Sequence, residues 1–187
     1  MGRCTVYKPA VFVMLAAGLA MAQSPKYKVG KPATAGDIAQ RDHFVSPDGK
    51  GLPAGKGTAL EGKSVYERRC ATCHGAEGQG KEEVPLVGGK GTLTTPKPLK
   101  TVGSYWPYST TLFDYINRAM PFDNPGLLTH DHVYAVSALI LYWNGIIGEH
   151  DEMNASTLPK VKMPNRDGFI PDDRPDTGKG KKKPSAK

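Results

Sequence analysis

Apolar residues recur with helical spacing in three stretches of this chain. Leu112, Phe113, Ile116 and Ala119 fall on one face of a helix predicted over residues 110–119, which Pro121 stops. Val133, Val136, Leu139, Ile140 and Trp143 make a longer apolar face, predicting a helix across residues 133–147 with Thr129 as N-cap and Gly148 as stop. Earlier, Tyr66, Cys70 and Cys73 sit at i, i+4 and i+7, one face of a helix running from about residue 63. The longest helix is expected to pack across the Tyr66 helix, with Tyr142 and Trp143 as core aromatics. All three predicted elements are helices, so the expected fold class is all-α.

The ends of the chain read differently. Residues 10–22 are almost wholly apolar behind Arg3 and Lys8, and Ala20-Met21-Ala22 has the small-residue spacing of a signal-peptidase site. Thirteen apolar residues behind Pro9 fall short of the roughly 20 that span a bilayer, so residues 1–22 are expected to be a cleaved export signal rather than an anchor. The mature chain then starts at Gln23 with no membrane span. Residues 23–58 and 149–187 are rich in Pro, Gly and charge, and are expected to be extended arms around a domain at residues 59–148. Such arms either wrap the domain, lie along a larger partner or serve as plain linkers. Residues 49–58 miss the spacing of a phosphate-binding loop and are expected to form a flexible one.

The formal charge of +7 suggests nucleic acid only until it is located. Two of the basic residues leave with the signal, and Lys179, Lys181, Lys182, Lys183 and Lys187 supply the rest of the excess, so residues 23–178 are formally neutral. A lysine-rich end of this kind is a solvated tail, and nucleic-acid binding is not expected.

Of three cysteines, Cys4 lies in the presumed signal, so the mature chain keeps Cys70 and Cys73 and forms no disulfide framework. Residues 70–74 read Cys-Ala-Thr-Cys-His, the pattern of covalent haem c attachment. Two thiols three positions apart reach the two vinyl groups on one porphyrin edge, and His74 then lies beneath the iron as the proximal ligand. A redox dithiol would want a βαβ neighbourhood, and a four-ligand zinc site would want further Cys or a spaced His pair; neither pattern is present.

A second axial ligand must come from elsewhere. Met120 follows a predicted helix and precedes Pro121, which puts its sulfur on a stiff loop, and methionine ligation raises the reduction potential. Met153 and Met163 lie in a polar, proline-broken segment where burial is harder to arrange. His130 and His132 read as helix-start residues beside Thr129 and Asp131, and are the main alternatives.

A helix leading into Cys-x-x-Cys-His, a proline loop, a distal Met-Pro and an apolar last helix together resemble the class I monohaem cytochrome c family over residues 57–148. The resemblance implies the class I cytochrome c fold with one covalent haem. It implies that the carbonyl of Pro85 accepts the Nδ1 proton of His74, and that Leu86 presses on the haem face. Ser46-Pro-Asp-Gly-Lys-Gly-Leu-Pro-Ala-Gly-Lys-Gly-Thr58, the stretch at 101–122 containing Gly103-Ser-Tyr-Trp-Pro-Tyr108, and Leu158-Pro-Lys-Val-Lys-Met-Pro-Asn-Arg-Asp-Gly-Phe169 are similar to the cytochrome subunits of molybdenum-dependent sulfite and sulfane dehydrogenases. Sox-type sulfane dehydrogenase cytochromes generally carry a second haem domain, whereas this chain has one Cys-x-x-Cys-His. The resemblance therefore implies a single-haem sulfite dehydrogenase subunit or stand-alone relative as readily as a Sox component.

The expected function is single-electron transfer in the periplasm, from a molybdopterin-containing sulfite or sulfane dehydrogenase subunit to a downstream cytochrome or oxidase, with no catalytic residue in this chain. The alternatives are a free soluble carrier and a haem enzyme or gas sensor with an open iron position. Lys81, Lys90, Lys97 and Lys100 either ring a docking surface or form a solvated face.

Overall fold

The computed structural model describes residues 29–172; the expected signal, the start of the N-terminal arm and the lysine-rich tail lie outside them. The described part falls into two units divided after Asp42. In the first, helix α1 (Ala35–Arg41) is closed by a capping box in which Thr34 and Asp37 exchange hydrogen bonds, and none of its residues is buried.

The second unit is built on helices α2 (Ala59–Arg69), α3 (Ala71–His74), α4 (Ser109–Ala119) and α5 (His130–Trp143). Helix α2 starts four residues before its expected beginning because Thr58 and Glu61 form a second capping box ahead of the apolar positions. Helix α5 is buried continuously from Val133 to Leu141, so it is the central element on which the others pack. It ends at Asn144 rather than near Gly148. The N–H of Gly145 bonds Tyr142 O at 2.8 Å and that of Ile146 bonds Leu141 O at 3.0 Å, a Schellman arrangement that uses the terminal carbonyls.

Helices α2 and α5 cross backbone to backbone: a Cβ on Gly62 would lie 2.1 Å from the carbonyl oxygen of Ala135. Helix α4 closes the other side of α5, with the rings of Phe113 and Tyr134 centred 4.4 Å apart. The core gathers Val65 and Tyr66 from α2, Leu112, Phe113 and Ile116 from α4, and the buried run of α5.

The flanking segments of this unit wrap the helices. Val45 is buried and its N–H bonds the carboxylate of Asp114 at 3.0 Å; that carboxylate, itself buried, also pairs with Arg118 one turn on. Strand β1 (Lys56–Gly57) pairs antiparallel with β2 (Met153–Asn154), and Lys56 meets Glu152 at 2.9 Å. Ser109 Oγ donates to Leu158 O at 2.6 Å and Asn165 Nδ2 to Tyr105 O at 2.7 Å, holding the C-terminal segment over the start of α4. Met153 and Met163, expected to resist burial, are 4% and 3% exposed, because this wrapping brings them into the core. Residues 49–58, expected to be flexible, are likewise tied down: Ser46 and Lys50 pair at 2.8 Å, Tyr134 Oη donates to Pro53 O, and the Lys56 N–H bonds Asp131 Oδ1.

The substitution Gly62→Ala drives a methyl into the backbone of α5, where no rotamer change relieves the overlap. It is expected to cost about 1–3 kcal/mol or more, read as a lower midpoint in chemical denaturation.

Candidate haem site

The two cysteines do not share one continuous helix. At Cys70 the backbone leaves the helical region (φ −125°, ψ −36°), ending α2 and starting the single turn of α3. The Cys70 carbonyl accepts from both Cys73 N at 3.2 Å and His74 N at 3.0 Å, so the turn that carries Cys73 and His74 is hinged on the first cysteine. Tyr66 anchors it from above. Its hydroxyl donates to Gly75 O at 3.0 Å, and its ring meets Trp143 of α5 edge-on at 4.8 Å. Burial raises the Tyr66 hydroxyl pKa well above its ordinary value, with the neighbouring Cys70 adding to the effect.

His74 is half-buried, and its Nδ1 lies 3.1 Å from the carbonyl oxygen of Val84. A carbonyl only accepts, so Nδ1 carries the proton; in the neutral ring Nε2 is then the nitrogen with the lone pair, the form in which imidazole binds a metal. The acceptor is one residue ahead of the expected Pro85. The physical reason lies in the next two residues: Leu86 N and Val87 N both bond Gly78 O, at 2.8 and 3.2 Å, which presents the carbonyl before the proline to the ring. Pro85 contributes a fixed φ and a peptide unit with no N–H to compete.

Cys70, Leu86 and Met120 come from three separate parts of the chain, and each is half-buried against the same core, together with Trp106 and Leu128. Met120 is the C-cap of α4, its N–H bonded to Ile116 O, and its half-buried side chain packs against the core. His130 and His132 open α5 behind the N-cap Thr129, whose hydroxyl accepts from His132 N, and both are exposed. Cys73 is exposed.

The donor set suits a haem: an imidazole with a free Nε2, a thioether sulfur and two thiols, set among half-buried apolar side chains that give a porphyrin face something to cover. It does not suit the competing readings. A redox dithiol runs on a lowered thiol pKa, whereas burial, with the charge of Cys73 second, pushes the Cys70 thiol up to about 11. Among the described residues, no three His, Cys, Asp or Glu side chains gather as a zinc site would need.

Two contributors were not legible beforehand. Val84 was hidden because the acceptor is a backbone atom. Asn144 bonds Gly88 N through Oδ1 and Leu86 O through Nδ2; the one available signal was an Asn immediately before Gly145, a helix-ending pair. For the anchor above the turn, Tyr66→Phe is expected to cost about 1 kcal/mol, one buried hydrogen bond, while keeping the contact with Trp143; the check is the denaturation midpoint beside an unchanged visible spectrum.

Residues 59–143 match the family model for cytochrome c. No curated protein matches the chain. One chain in the crystal structure of the sulfane dehydrogenase SoxCD from Paracoccus pantotrophus superposes with a TM-score of 0.73 at 40% sequence identity, covering 82% of this chain and 76% of that one. A likeness so extensive in both sequence and shape places this chain in the cytochrome c family, with the class I fold, as an electron-transfer haem protein related to a SoxCD chain.

Proposed function

We propose that this protein is a periplasmic cytochrome that relays single electrons as the haem subunit of a sulfane or sulfite dehydrogenase. The observation that carries the haem assignment is the bond from His74 Nδ1 to Val84 O, which leaves Nε2 as a ready ligand inside Cys-x-x-Cys-His. The haem supplies the one-electron chemistry. Cys70 and Cys73 would hold one haem c through thioether links, His74 and Met120 would be the residues that ligate its iron, and Leu86, beside Pro85, would lie against the porphyrin.

Each residue's share follows from its setting. The Val84 carbonyl fixes the imidazole plane and makes the ring a stronger donor, which favours the oxidised metal. Met120, stiffened by α4 and Pro121, supplies a soft sulfur that favours the reduced one. The half-buried apolar residues Leu86, Trp106 and Leu128 would cover the porphyrin and shield it from water. The partner assignment rests on the 40% identity to a SoxCD chain: electrons would come from a molybdenum-containing subunit and leave to a further cytochrome or oxidase. Residues 1–22 would direct export and be removed before Gln23.

With both axial positions filled, the reduced protein is expected to leave carbon monoxide unbound, and Met120→Ala is expected to bind it with a shifted Soret band. A wild-type protein that takes up carbon monoxide contradicts Met120 as a ligand and favours a gas-binding site. Purification from the producing cells at low salt is expected to retain a molybdenum-containing subunit; isolation of the cytochrome alone supports a free carrier instead.

A further inference from the structure

Asn144 ends α5, yet most of its side-chain bonding is directed at another part of the chain. Its Oδ1 accepts from Gly88 N at 3.0 Å, and its Nδ2 donates to Leu86 O at 3.2 Å and to Ile140 O at 2.8 Å. All three partners are backbone groups with fixed roles, so the orientation of the amide is determined: only oxygen can face an N–H and only nitrogen can face two carbonyls. Asn144 therefore clamps residues 86–88 to the end of the central helix.

Those residues lie just past Pro85, which follows the acceptor of the His74 proton. Counting the bonds of Leu86 N and Val87 N to Gly78 O and of Thr101 Oγ1 to Gly88 O at 2.6 Å, the backbone from Leu86 to Gly88 is held on both sides. The Val84 carbonyl, one residue before this stretch across the stiff Pro85, lies between the clamp and the bond from Glu83 N to Cys73 O at 3.0 Å. The clamp also has a built-in space. A Cβ on Gly103 would lie 1.9 Å from Asn144 Oδ1, so glycine at 103 is what lets the amide occupy its place.

We propose that Asn144 is a positioning residue for the proximal ligand: by holding residues 86–88 it sets the bond between His74 Nδ1 and Val84 O, and through it the reduction potential. This deepens the haem reading above and depends on it. A firm bond makes the imidazole more electron-rich and favours the ferric state, so loosening the clamp raises the potential.

The test compares midpoint potentials and electron paramagnetic resonance g-values of the ferric, haem-loaded protein. Asn144→Ala is expected to raise the reduction equilibrium constant roughly tenfold, the low end of what outer-shell partners contribute, equivalent to about 59 mV for one electron, and to shift the g-values. Gly103→Ala, which removes no hydrogen-bonding group but displaces the amide, is expected to give a change of the same sign, and the double variant little beyond the larger single one. Thr129→Ala weakens α5 at its other end and is expected to lower stability with the potential unmoved. Equal potentials and g-values in wild type, Asn144→Ala and Gly103→Ala, all with haem bound, overturn the clamp and leave the haem assignment intact. A potential that moves with stability across all variants, Thr129→Ala included, overturns it too, and a wild type without covalent haem overturns both readings.

Discussion

The crossing of α2 and α5 at Gly62 and Ala135 governs the rest of this unit. With no side chain between them, the two helices come close enough for Tyr66 to reach Trp143, and α2 ends with Cys70 half-buried against the core formed around α5. Everything at the site is measured from that contact. The turn bearing Cys73 and His74 hangs from the last residue of the α2 register, and the loop that answers it is tied to the last residue of α5.

Around this pair the chain supplies constraints from distant parts of the sequence. Asp114 of α4 holds the incoming segment through Val45 N, while β1 and β2 join the two flanks on one edge. The bond from Val45 N to Asp114 ties α4 to that segment, and Met120 is the C-cap of α4. The position of the sulfur is thus inherited from a helix packed through Phe113 against Tyr134.

The helices were legible because their cause is local. The apolar faces of α4 and α5 depend on residues three and four apart, and Cys-x-x-Cys-His announces its chemistry in five letters. What stayed hidden depends on contacts between remote segments. Nothing within residues 149–170 marks Met153, Leu158 and Met163 as core, since their burial is created by α4 and α5. The early start of α2 rests on the capping box of Thr58 and Glu61, a signal ahead of the Tyr66 spacing from which the helix was read. The shift from Pro85 to Val84 as the acceptor turns on which way one peptide plane faces, and side-chain identity carries no trace of it. Asn144 needed the fold to place residues 86–88 beside the end of α5.

The central claim is that Cys70 and Cys73 both hold one porphyrin by covalent bonds. Intact-mass analysis of the mature protein under denaturing conditions tests it most directly. The account predicts a polypeptide starting at Gln23 heavier by one haem, with that added mass confined to the peptide containing residues 70–74 after proteolysis. A mature chain of bare polypeptide mass, with two free thiols at those positions, would contradict it.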